Sequence, residues 1–116
     1  MDRASKETVD LLLEKVKECI RSDRSDAFMF VPRRINRESM AKLGISENHI
    51  VGEILELTYD DYHAGPLDDR NRPGTEPLWV FKRIINGALI YIKLKYRDHT
   101  KGKTVLVLSF HEDGAK

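Results

Sequence analysis

Tyr91, Lys93 and Lys95 stand two residues apart in the run from Ala88 to Tyr96, with Ile90, Ile92 and Leu94 at the alternate positions. A β-strand sends alternate side chains to opposite faces, so this segment predicts one apolar face and one carrying a phenol and two ammonium groups. The following run, Thr104 to His111, extends the pattern; paired antiparallel to the first, it brings Ser109 and His111 round to the side of Tyr91. Closely spaced lysines bind phosphates, a tyrosine stacks on an unpaired base or hydrogen-bonds a phosphoryl oxygen, and a histidine changes charge near neutrality and can move a proton. RNA carries its own nucleophile, the 2′-hydroxyl. A face that removes that proton, protonates the departing 5′-oxygen and neutralises the pentacovalent phosphorane can cut RNA without a metal, each proton transfer contributing about 10²- to 10⁴-fold.

The elements that must position these groups begin with Asn86-Gly87, a turn pair between two β-rich runs. Both central positions of a type I′ turn need positive φ, which makes Asn-Gly a strong hairpin signal. It places Ile85 opposite Ala88, Lys82 opposite Tyr91, Phe81 opposite Ile92 and Trp79 opposite Leu94. The inner face then holds Trp79, Phe81, Ile85, Ile90, Ile92, Leu94, Leu106, Leu108 and Phe110. The outer face holds Lys82, Tyr91, Lys93, Lys95, Ser109 and His111, diluted by Val80, Val105 and Val107. Arg83 is the exception on the inner face and snorkels to an edge. A one-residue slip would bury three lysines at a cost of several kcal/mol apiece.

Upstream, Ser5 is a cap for a helix to about Arg21, with Val9, Leu12, Leu13, Val16 and Ile20 forming its core-facing stripe. Ala27 to Val31 reads as a short strand ended by Pro32. Asn36 caps a short helix over Arg37 to Leu43, which Gly44 stops, and Ser46 starts another that carries Ile50, Val51, Ile54 and Leu55 inward. Residues 59 to 77, with Gly65-Pro66, Pro73-Gly74 and Pro77, read as one long irregular connection. Its carboxylates Asp60, Asp61, Asp68 and Asp69 fit no calcium-loop spacing and read as a solvated turn, and Arg70 and Arg72 read as mobile surface charge that could also clamp a substrate. The expected fold is α+β: an antiparallel twisted sheet, made of a C-terminal three-stranded meander and a short N-terminal strand, packed on one face by the N-terminal helices, in a single domain over 1–116.

The chain of 116 residues carries a net charge of +1 that conceals an asymmetry. Residues 1–77 hold twelve Lys/Arg against sixteen Asp/Glu, net −4, whereas residues 78–116 hold eight against three, net +5. A local field rather than the sum steers an anion, so the C-terminal third points to a polyanionic ligand; lysines that protect sheet edges are the plainer account. No window approaches the ~18 apolar residues of a membrane span and the N-terminus lacks the apolar core of a signal peptide, so a cytoplasmic protein is expected. The single cysteine, Cys19, excludes an internal disulfide and any cysteine-rich zinc site, and His49, His63 and His99 are dispersed. No cofactor or metal is expected.

Five stretches resemble the MqsR family of toxins from bacterial toxin–antitoxin systems: Leu43 to Ser46, Tyr62 with Gly65-Pro66 and Asp68, Leu78 to Phe81, Tyr91 to Lys95, and Ser109 to Glu112. The resemblance spans about residues 43–112 and implies a RelE-like ribonuclease fold, metal-independent cleavage of messenger RNA, and silencing by a cognate antitoxin. Tyr91 matches a family tyrosine important for activity, with Lys93 at the family spacing. His111 occupies the place after Ser-Phe where some members have a catalytic lysine, and a functional glutamine of some members is Val80 here, its role falling to Lys82 or Lys95. The resemblance and the residues together give Tyr91, His111 and Lys93 as the catalytic set and Lys82, Lys95, Ser109 and Arg97 as the RNA-binding set. A non-catalytic module binding nucleic acid or protein through the same basic face is the alternative.

Overall fold

A computed structural model describes residues 3–22, 24–99 and 102–114. Ser5 opens the first helix, its Oγ accepting from the Thr8 amide at 3.2 Å, and Lys6–Arg21 (α1) turns Val9, Leu13, Val16 and Cys19 inward. Phe28–Phe30 (β1) leads to Arg34–Leu43 (α2), which Gly44 stops at φ 71°, and Glu47–Leu55 (α3) follows with Ser46 as its cap. A 3₁₀ turn at Tyr59–Asp61 enters Tyr62–Leu67 (β2); then come Leu78–Ile85 (β3), Ala88–His99 (β4) and Gly102–Glu112 (β5).

The strands form a five-stranded sheet in the order β1-β5-β4-β3-β2, with β1 parallel to β5 and the other pairs antiparallel. Asn86 and Gly87 take φ of 50° and 81°, and the β3–β4 register is the expected one, from Ile85 opposite Ala88 to Trp79 opposite Leu94. Ile50 and Ile54 of α3 and the stripe of α1 cover Trp79, Phe81, Ile85, Ile90, Ile92, Leu94 and Phe110. Arg83 reaches the edge of that face, where Glu53, Glu56 and Asp61 meet it. The Cys19 thiol is buried between α1 and β5, donating to Lys103 O at 3.2 Å, and burial pushes its pKa up.

Three expectations need correction. The segment 59–77 contains a strand, β2, which tolerates Gly65-Pro66 because it lies at the sheet edge, where a missing amide donor leaves no partner unpaired. Gly65 is required there: at φ 128°, a Cβ would stand 2.9 Å from Leu78 O and 3.0 Å from the Trp79 ring. Next, β5 carries a bulge. Lys93 opposes Ser109 but Leu94 opposes Val107, leaving Leu108 as the extra residue. Parity therefore reverses upstream of it: Val105 and Val107 are fully buried in the core, while Leu106 and Leu108 are half-buried on the Tyr91 side. Val80, on that side too, is buried outside the main core.

Lastly, Asn36 does not cap α2; it lies within the helix, fully buried. Its Nδ2 donates to Val31 O at 2.9 Å and Leu108 O at 3.1 Å, and its Oδ1 accepts from the Phe110 amide at 3.0 Å. Beyond Val107 the β5 edge has run out of β1, so a carboxamide supplies the carbonyl and amide partners that a strand would. Ser39, one turn along α2, accepts the next outward amide, that of Glu112, at 3.3 Å. An unsatisfied buried backbone group costs about 1–3 kcal/mol, and Asn36→Ala strands at least two. The variant is expected to lose roughly 3 kcal/mol in urea unfolding, and Asn36→Asp, which sets a buried acceptor against the Val31 and Leu108 carbonyls, should recover none of it.

Candidate functional site

Three cross-strand rows build the face opposite the helices. Lys82, Tyr91 and His111 form the first across β3, β4 and β5; Val80, Lys93 and Ser109 the second; Leu78, Lys95 and Leu106 the third. Rows two residues apart along a strand lie about 6.8 Å from one another. The sequence-derived residues are thus brought together on one face, but their states differ.

Tyr91 and His111 are stacked, ring centroids 5.4 Å apart at 19°. The His111 Nδ1 lies 2.9 Å from Glu112 O, and a carbonyl can only accept, so Nδ1 carries a hydrogen and Nε2 is the ring nitrogen left for a ligand. Asn36 and Ser39 hold the amides on either side of His111, and Lys42 pairs with Glu112 at 3.0 Å. The imidazole is 9% exposed and shares its aromatic neighbour with the cleft rather than lining the cleft itself. Among the described residues the Tyr91 hydroxyl and the Lys93 ammonium have no polar partner. Both line a cleft of about 570 Å³ walled by Pro66 to Asn71 and Leu78. Lys82 pairs with Asp113 at 3.1 Å.

Lys95 departs from the expectation of an exposed phosphate binder. It is 2% exposed, and its ammonium donates to Asp69 Oδ2 and Thr75 Oγ1, each at 2.7 Å. The segment after β2 thus folds down onto the sheet. Asp69 correspondingly is no solvated turn residue: its other oxygen accepts from the Asn71 and Arg72 amides at 3.1 and 3.3 Å. Thr75 donates onward to Arg72 O at 2.6 Å, and Glu76 accepts from the Asp98 amide at 2.7 Å. The hydrogen bond from Lys95, with its charge, holds the Asp69 carboxyl below the usual carboxylate range.

Ser109 is buried and faces Arg33, whose Nη1 is 3.3 Å from its Oγ; Arg97 lines a second cleft of about 610 Å³ on the far side of the strap. Sequence reasoning left out Arg33 and the structural part of Asp69, and set Arg70 and Arg72 aside as surface charge. Arg70 lines the Tyr91 cleft and Arg72 the second one. The available signal was the run Asp69-Arg70-Asn71-Arg72, which an Asx turn folds so that its cations diverge. Among the described residues no three His, Cys, Asp or Glu side chains converge as a metal-binding group, and no helix is long and apolar enough to cross a membrane.

The geometry defines a class: a mixed α+β protein with helices behind an open sheet and a cationic, aromatic face in front. Residues 8–112 match the family model described as motility quorum-sensing regulator, toxin of MqsA, and the chain belongs to that family. It is accordingly the toxin of a toxin–antitoxin system, with a cognate antitoxin as partner. The match takes in α1 and α2, ahead of the motifs that carried the resemblance. No curated protein and no solved structure matches the chain.

Removing one partner of a buried ion pair costs about 3–5 kcal/mol, whereas replacing both by apolar groups is often neutral. Asp69→Ala is therefore expected to destabilise by roughly 3 kcal/mol in urea unfolding, and the Asp69→Leu/Lys95→Met pair to recover most of that. The depressed Asp69 pKa stabilises the fold fully above the unfolded value of about 3.9, and this contribution is lost as pH falls through the lower folded value. Between pH 4 and pH 2, on the order of the carboxylate range, wild type should lose more stability than Asp69→Asn.

Proposed function

We propose that the protein is an endoribonuclease that cuts messenger RNA through the 2′-hydroxyl, without a metal. The observation that carries this reading is the Tyr91–His111 stack beside the unpaired Lys93 ammonium, on the face that belongs to a toxin. The scissile phosphate sits at the Tyr91 rim of the cleft, beside the His111 ring stacked on that phenol, with Lys93 against a non-bridging oxygen and the Tyr91 hydroxyl positioning the phosphate or a neighbouring base. His111 Nε2 takes the 2′-hydroxyl proton as the 2′-oxygen attacks phosphorus. The bond to the 5′-oxygen then breaks and that oxygen takes a proton from solvent, to which the His111 imidazolium later returns its own, leaving a 2′,3′-cyclic phosphate and a 5′-hydroxyl. Lys93 offsets the extra negative charge of the phosphorane, a contribution realised in the transition state. Lys82 and Arg97 extend the positive field along the sheet, Ser109 holds Arg33, and Lys95 acts through Asp69 by fixing the cleft wall.

Purified protein should cut single-stranded RNA in EDTA and leave cyclic phosphate ends. His111→Ala should lower the single-turnover rate at least about 10²-fold while RNA binding is largely kept. His111→Phe preserves ring stacking without the proton, so it should be equally impaired; activity in that variant would reduce His111 to a support for Tyr91. An intact substrate that is nonetheless bound, with no growth arrest on expression, would identify a non-catalytic module, and an absolute metal requirement would remove the mechanism.

A further inference from the structure

Several cations of this protein are neutralised by neighbouring carboxylates. Lys82, Arg83, Lys42 and Arg24 are paired with Asp113, with Glu53, Glu56 and Asp61, with Glu112, and with Asp26. Around the second cleft the pattern is the opposite. Arg33, Arg72, Lys93 and Arg97 converge on its walls, and among the described residues none of the four is ion-paired. The one carboxylate in that lining, Asp69, is already neutralised by the buried Lys95. The floor between these cations is apolar, made by Leu106 and Leu108, which the bulge turns to this side.

We propose that the second cleft is a separate subsite that holds the single-stranded RNA flanking the scissile phosphate. The inference rests on the ribonuclease reading for its ligand but assigns the RNA a path that reading does not require. Four uncompensated positive charges over about 610 Å³ call for a polyanion, and a half-exposed aliphatic floor suits the face of an unstacked base better than it suits an acidic side chain. The two clefts adjoin: both are lined by Asp69, Asn71, Leu78 and Lys93. Lys93 thus touches the phosphate of the Tyr91 cleft on one side and the flanking chain on the other. The Asp69–Lys95 anchor places Arg70 over the first cleft and Arg72 over the second, so the strap acts as a ridge that the chain crosses at Lys93.

The test uses 2′-O-methyl oligoribonucleotides, which lack the nucleophile and report binding apart from cutting. For a probe of about twelve nucleotides, within single-strand site sizes, Arg33→Ala/Arg72→Ala should weaken binding about tenfold at 0.1 M salt and flatten the log–log salt slope by about 1.4, or about 0.7 per lost phosphate contact. A trinucleotide confined to the Tyr91 cleft should bind both proteins alike. Arg72→Lys, at an exposed position with charge kept, should bind nearly as wild type, and Lys15→Ala on α1 should change neither affinity nor slope. An unchanged slope in the double variant overturns the subsite, as does an equal loss for trinucleotide and long probe, or competition by polyglutamate as effective as by RNA of the same charge. Wild type that binds the long probe with this slope yet cuts no RNA would defeat the chemistry and leave the subsite standing.

Discussion

An ammonium group removed from water requires a counter-charge, and Lys95, 2% exposed in the middle of a sheet, has one in Asp69. That requirement shapes the whole front of the molecule. Without it the ten residues between β2 and β3 would be a polar loop with no reason to lie on the strands. With it, the loop becomes a wall: Asp69 organises its own turn, Thr75 closes the far end, and the sheet surface is partitioned into two clefts. The pair is a poor source of net stability, since desolvation offsets most of its attraction, but a strong determinant of where the chain must go.

The back of the site is built differently. His111 lies on the last strand, beside an edge that no strand covers, where a fraying backbone would scatter the imidazole. Helix α2 prevents this by offering a carboxamide and a hydroxyl one turn apart to the outward amides of Phe110 and Glu112. The stacked pair of rings is thereby fixed from both directions, Tyr91 by a fully paired central strand and His111 by two side-chain hydrogen bonds. Positioning of this kind matters because proton transfer and charge stabilisation depend on distances held before the substrate arrives.

Much of this was legible in the residues. Asn86-Gly87 fixed the hairpin and therefore the alternation of Lys82, Tyr91, Lys93 and Trp79, since an error of one position would have buried several charges. The bulge was not legible. Thr104 to Phe110 is apolar at nearly every position, so valines and leucines could exchange faces with no polar residue to protest, and only the antiparallel register reveals that they did. The edge strand β2 was concealed by Gly65-Pro66, which elsewhere in a sheet would exclude a strand. Asn36 looked like a cap because capping is the commonest use of that side chain near a helix start; two of its three partners lie more than seventy residues away, beyond the reach of local pattern. The burial of Lys95 was invisible for the same reason, since its neighbour is decided by a loop.

The topology bears on how the sheet is completed. β5 contributes His111 and is the seam that joins β1 to the rest of the sheet, with Phe28 running alongside Val105. β5 follows the other described strands along the chain, so until it forms β1 is unmatched and Tyr91 lacks its stacked histidine. Contacts spanning such sequence distances also form late and slowly in folding. The wiring thus makes β5 the closing piece of the sheet, and the stacked rings of Tyr91 and His111 come together only when that piece is seated.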